Sequence, residues 1–91
     1  MTIINKPSVA QFITDAIETS GRSQQQIAEI AGFNKPNVIS MLKTGRVKVP
    51  YDRIRSLARA LRVDHVELAR LTIGEYEPHL LKILEELHVK V

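Results

Sequence analysis

Residues 23–33 read SQQQIAEIAGF and contain the most informative helix signals of the chain. Ser23 and Gln26 have the spacing of a capping box, in which a hydroxyl and an amide three residues later satisfy free N–H groups at a helix start. Apolar residues then recur at helical spacing until Gly32, a residue type that ends helices in the left-handed conformation. The stretch therefore predicts a short helix followed by a tight turn, with Phe33 buried beneath it.

A second short helix is expected after the turn. We expect Asn34 to cap it and Pro36 to lie in its first turn, where no backbone N–H is needed. Gly45 would end it, and the apolar residues of its inward face are Val38, Met41 and Leu42. Two helices joined by a short turn that contains glycine form a helix-turn-helix.

Capping residues and helix breakers place the remaining helices. The predicted starts lie at Ser8, at Pro50, at Asp64 and near Pro78. Gly74 is expected to break the chain before the last helix. No strand pattern occurs, so the predicted fold class is all-α, with six short helices.

The composition excludes several classes of protein. A chain of 91 residues corresponds to one domain, and the absence of cysteine excludes disulfides and thiolate metal sites. No apolar run approaches the ~18–20 residues that span a bilayer, and the first residues lack a signal-peptide pattern, so we expect a cytoplasmic protein. His65, His79 and His88 have no ligand spacing, and no catalytic motif is present. We therefore expect no metal site, no cofactor and no enzymatic activity.

Positive charge is concentrated in the middle of the chain. Nine of the 13 Lys and Arg residues lie between residues 21 and 63, where there are two acidic residues. Residues 64–91 carry three basic and six acidic side chains. Clustered positive charge on a small domain is typical of a protein that binds a polyanion, although a merely soluble surface remains an alternative.

Three stretches carry a family resemblance. They are residues 23–33, the run Val38-Ile39-Ser40-Met41 with Gly45 and Pro50 after it, and residues 54–64, which read IRSLARALRVD. Together they resemble the lambda-repressor/Cro-like (XRE-type) helix-turn-helix family of bacterial and phage regulators. The resemblance implies a five-helix bundle, here followed by a sixth helix. It also implies binding to double-stranded DNA, with the second helix of the pair in the major groove.

The exposed side of that second helix, which we call the reading helix, provides the candidate base contacts. They are Lys35, Pro36, Asn37, Ile39 and Ser40. A lysine suits guanine O6 and N7, an amide or hydroxyl suits polar base edges, and an apolar side chain suits a thymine methyl. Ile39 has a second interpretation, as a core residue on the flank of the helix.

Phosphate contacts are expected around the reading helix and at the start of the helix before it, because free N–H groups at a helix start attract phosphate. The candidates are Ser23, Gln24, Asn34, Lys43, Arg46 and Lys48. The resemblance further implies that Gln24 braces the reading helix. A stripe formed by Arg55, Arg59 and Arg62 is either a solvated helix face or a second binding surface.

The last helix carries more apolar surface than one bundle needs. Its apolar residues are Leu80, Leu81, Ile83, Leu84 and Leu87. This surface either folds back on its own bundle or pairs with a second copy, because wide apolar stripes are seldom exposed on soluble monomers. We favour a homodimer, which would place two reading helices about 34 Å apart on a palindromic operator. Residues 1–72 then form the DNA-binding domain and residues 73–91 the dimerisation element.

The function predicted from the sequence is a sequence-specific DNA-binding transcriptional regulator that acts as a repressor. The alternative is an antitoxin or another interaction module of the same fold. Such a module would bind a protein partner, for example a toxin or an anti-repressor, through its C-terminal helix.

Overall fold

The computed structural model describes residues 8–87, and that part of the chain contains six α-helices and no strand. The helices are α1 (Val9–Ser20), α2 (Gln24–Ala31), α3 (Asn37–Lys43), α4 (Ile54–Leu61), α5 (His65–Tyr76) and α6 (Pro78–Glu86). A 3-10 turn, Tyr51–Arg53, precedes α4. The predicted all-α fold is confirmed. His88 lies outside the described residues.

The described residues contain neither a membrane-spanning helix nor a cluster of metal ligands. None of their helices has both the length and the apolar character needed to cross a membrane. Between residues 8 and 87, no three His, Asp or Glu side chains are placed together where they could hold a metal ion.

Helix α4 lies at the centre of the bundle, where it packs against α1, α2 and α5. Its most extensive partner is α2. The buried side chains of the two helices include alanines on both sides, Ala28 and Ala31 on α2 and Ala58 and Ala60 on α4. The hydroxyl of Ser56 also donates a hydrogen bond of 2.9 Å to the carbonyl oxygen of Ala31. Small side chains let two helices approach closely, so α2 is held firmly against α4.

The predicted start and end of α2 are confirmed. The Ser23 hydroxyl oxygen accepts from the Gln26 N–H at 3.1 Å, and the Gln26 side chain accepts from the Ser23 N–H at 2.9 Å. Gly32 adopts a φ of 84°, in the left-handed region. Phe33 donates its N–H to the Ala28 carbonyl at 2.8 Å, and its half-buried ring packs against the core. The sequence therefore encodes both ends of this helix locally.

The reading helix begins later than predicted. Helix α3 starts at Asn37, not near Asn34, and no side chain caps it. A residue that precedes proline is disfavoured in the helical region, because the proline ring clashes with its backbone. Lys35 is such a residue, so the helix starts only after Pro36.

The predicted break at Gly74 is also wrong, and again the residue before a proline marks the true boundary. Helix α5 continues through Gly74 to Tyr76, and the chain leaves helical geometry at Glu77, which precedes Pro78 and has φ −143° and ψ 69°. A Cβ atom added to Gly74 would lie 3.1 Å from a Leu81 methyl carbon. Gly74 therefore allows α6 to lie close against α5.

Two arginines define the C-terminal end of α4. The Arg22 guanidinium donates to the carbonyl oxygens of Arg59 and Ala60, at 3.1 and 2.7 Å. Arg62 ends the helix at φ 61°, and among the described residues it is the one non-glycine residue with positive φ. The left-handed conformation costs a residue with a Cβ atom about 1–2 kcal/mol.

Replacing Arg62 with glycine should therefore stabilise the protein, by about 0.5–1 kcal/mol after the greater flexibility of glycine in the unfolded chain is subtracted. Arg59→Gly is the matched control. It lies in the last turn of α4 with normal helical geometry, and the substitution should cost about 1 kcal/mol. Urea denaturation followed by circular dichroism measures both changes. A lower free energy of unfolding for Arg62→Gly would show that the left-handed conformation is not a source of strain at this position.

Candidate nucleic-acid interface

Helices α2 and α3, joined by residues 32–36, form the predicted helix-turn-helix. Helix α3 packs against both α2 and α1. Ile39 and Leu42 are buried in these contacts, whereas Asn37, Ser40 and Thr44 are exposed. These three exposed residues are spaced by three and four positions, so they share one face of the helix. We call this exposed side of α3 the reading face.

The base-contact prediction is wrong for Ile39. Its side chain has no exposed surface at all, so it belongs to the core and cannot meet a base. Periodicity places Ile39 on the flank of α3. That flank is covered because α3 contacts two helices, which bury a wider arc than one neighbour would. Lys35 and Pro36, which precede the helix, are exposed as expected.

One hydrogen bond joins the reading face to α2. The Ser40 hydroxyl donates to the side-chain oxygen of Gln24 at 3.0 Å. Gln24 is the first residue of α2 and is half-buried. The contact orients the Gln24 amide so that its nitrogen, which has no acceptor among residues 8–87, remains as a donor. The hydrogen bond therefore joins Gln24, a candidate phosphate contact, to Ser40, a candidate base contact.

The start of α2 retains further donors. The Ser23 hydroxyl oxygen and N–H are both used in the capping box, but the hydroxyl proton has no acceptor among residues 8–87. The N–H groups of Gln24 and Gln25 lie in the first turn, where a helix supplies no acceptor. Donors of this kind at a helix start suit a phosphate oxygen.

Positive charge is concentrated in the segment of the chain that contains the reading face. No acidic residue occurs between residues 30 and 51, and the segment contains Lys35, Lys43, Arg46 and Lys48. Within residues 8–87 the ion pairs are Asp52 with Arg53 and Glu85 with Arg70, so none of these four cations is paired there. Lys35, Arg46 and Lys48 are exposed and Lys43 is half-buried. The segment therefore carries a net positive charge, which suits an anionic backbone.

The loop after α3 is anchored on α5. The Val49 N–H donates to the Tyr76 hydroxyl at 2.9 Å, and the Lys48 ammonium lies 5.1 Å from the centre of the Tyr76 ring. Burial raises the pKa of the Tyr76 hydroxyl above its usual value. The cation–π contact means that an aromatic ring on another helix sets the position of the Lys48 ammonium.

Thr44 and Tyr76 were not among the predicted site residues. Thr44 lies seven residues after Asn37, so helical periodicity already places it on the reading face. Its hydroxyl donates within α3, to the carbonyl oxygens of Ser40 and Met41. Tyr76 had no local signal, because its contacts reach 27 and 28 residues back along the chain.

Comparison with known proteins agrees with this geometry. The family described as "Helix-turn-helix domain" matches residues 10–71. The match spans α2, the turn, α3 and α4, and it confirms the resemblance carried by the three stretches of sequence. Comparisons with curated proteins and with solved structures found no match. The chain belongs to the helix-turn-helix domain family, and this membership supports a DNA-binding function.

Proposed function

We propose that the protein is a transcriptional repressor that inserts α3 into the major groove of an operator. The observation that carries the proposal is the reading face itself. It is polar, exposed and hydrogen-bonded to the start of α2, and it lies in a segment with four basic and no acidic side chains. A major-groove helix needs such a face, because bases are distinguished by hydrogen bonds at their edges.

Base contacts are assigned to four residues predicted from the sequence, which are Lys35, Pro36, Asn37 and Ser40. Thr44 joins this set because it is exposed on the reading face, and Ile39 leaves it because it is buried. Lys35 suits guanine O6 and N7, and Pro36 suits a thymine methyl. The Ser40 hydroxyl donates its proton to Gln24, so its oxygen can still accept a hydrogen bond from the exocyclic amine of a base.

Phosphate contacts are assigned to the start of α2, to the turn before α3, and to the end of α3 with the loop that follows it. The proposed residues are Ser23, Gln24, Asn34, Lys43, Arg46 and Lys48. If about six phosphates are neutralised per half-site, the logarithm of the affinity should fall with the logarithm of salt concentration with a slope near −5.

The protein is proposed to act as a homodimer. Leu80, Ile83 and Leu87 follow one stripe of the C-terminal helix and are 39%, 51% and 66% exposed. Leu81 and Leu84 are half-buried instead, in a helix whose neighbour is α5. Helix α6 thus rests on its own bundle with one side and exposes an apolar stripe on another, which supports pairing with a second copy on a palindromic operator.

Selection of bound sequences from random duplex DNA should enrich a symmetric site. The double variant Lys35→Ala/Ser40→Ala should lose about 1–3 kcal/mol of binding free energy per lost base contact and tolerate more bases at those positions. Arg59→Ala, which removes one exposed positive charge from α4, is the control and should retain the selected sequence. A folded double variant that selects the same site with the same affinity would show that this face does not read DNA.

Arg46→Ala separates phosphate contacts from base contacts. It should weaken binding to all sequences alike and reduce the magnitude of the salt slope by about 1, because one fewer counterion is released. Fluorescence anisotropy titrations at several salt concentrations measure the slope. A change in the preferred sequence, with the slope unaltered, would assign Arg46 to a base instead.

Ile83→Asp should convert the dimer into a folded monomer, because a carboxylate would be buried in the apolar contact without a partner. Lys82→Asp introduces the same group at an exposed neighbouring position and should leave the dimer intact. Sedimentation equilibrium gives the oligomeric state, and operator binding by Ile83→Asp should weaken in parallel. If Ile83→Asp remained dimeric, the stripe would not be the interface.

A further inference from the structure

A groove runs between the start of α4 and the two C-terminal helices. Its floor is apolar and includes Ile54, Val66, Ala69 and Ile73. Ile54 is nearly buried, whereas the other three side chains are half-buried, so their apolar surface is only partly covered by the chain itself. Leu80, the first member of the exposed stripe on α6, lines the same groove. The groove and the stripe therefore form one continuous apolar surface.

The rim of this groove is basic. Arg55, His65 and Arg70 line it, and no acidic side chain does. Arg70 pairs with Glu85 of its own α6 at 2.8 Å, but Arg55 has no acidic partner among residues 8–87. An occupant with an apolar face and a negative charge near Arg55 would therefore suit this groove.

Helix α6 itself has this combination. Beside the stripe of Leu80, Ile83 and Leu87 it carries the exposed Glu86, whereas Glu85 is paired with Arg70 of its own chain. Glu86 has no basic partner among residues 8–87. With nine residues, α6 is about 13 Å long.

We propose that this groove receives α6 of a second copy of the chain, with Glu86 of each copy facing Arg55 of the other. In a two-fold dimer each copy then donates its helix and receives its partner's helix, which is the self-complementary arrangement that such symmetry requires. The proposal rests on the homodimer of the proposed function and identifies the surface against which α6 packs. No residue of α2 or α3 lines the groove, so the dimer leaves the reading face open for DNA.

A charge exchange tests the proposed pair, with sedimentation equilibrium of the DNA-free protein as the readout. Arg55→Glu and Glu86→Arg should each weaken the dimer about tenfold or more, because each places like charges together at two symmetric positions. The double variant Arg55→Glu/Glu86→Arg should restore the dissociation constant to within about threefold of the original. Circular dichroism confirms that each variant is folded.

Arg59→Glu/Glu86→Arg is the matched control. It makes the same charge changes, but Arg59 does not line the groove, so the weak dimer of Glu86→Arg should persist. Rescue by this control, or failure of the Arg55 exchange to rescue, overturns the proposed pairing.

Ala69→Arg places a long charged side chain on the floor of the groove and provides a second measurement. It should weaken the dimer at least as much as Arg55→Glu. If Ile83→Asp dissociates the dimer while Ala69→Arg and Arg55→Glu leave it intact, the groove proposal is wrong and the homodimer stands. If the original chain is monomeric, the groove proposal and the homodimer proposal are both wrong. The double variant Lys35→Ala/Ser40→Ala tests DNA reading by α3 independently of that result.

Discussion

The contact between α2 and α4 is the most extensive helix contact among the described residues, and the position of α3 follows from it. Both helices bury alanines, whose small side chains allow helices to approach closely, and the Ser56 hydroxyl bonds to the last carbonyl of α2. Gln24, at the other end of α2, then holds Ser40 of α3. The reading face is therefore positioned through α2 on the central helix of the bundle, and a bulky side chain in place of a buried alanine of α2 would displace α3 as well.

Charge is distributed unevenly along the chain. The segment around α3 carries net positive charge, and residues 64–91 carry six of the ten acidic side chains. The ion pair between Arg70 and Glu85 joins α5 to α6 and does not involve the basic segment around α3. Because the basic segment is not neutralised by the described part of its own chain, it is available to an anionic ligand.

Two prolines set helix boundaries, and they explain why the boundaries predicted at Asn34 and Gly74 were wrong. Lys35 and Glu77 each precede a proline, and both lie outside helical geometry. The predicted boundaries rested instead on weaker signals, a capping asparagine at position 34 and a glycine at position 74. The steric rule for residues before proline would have placed both boundaries correctly, so these errors were avoidable from the sequence.

Local sequence patterns were enough to predict the helical class, the capping box and left-handed glycine that bound α2, and the polar side of the reading helix. These features depend on residues within one or two turns of each other, which a local pattern contains. Contacts between helices fix the remaining features: the burial of Ile39, the bond from Ser40 to Gln24, the anchoring of the loop after α3 by Tyr76, and the exposure of particular leucines of α6. Each of these depends on which helices meet in space, and the width of a buried arc cannot be read from the periodicity of a single helix.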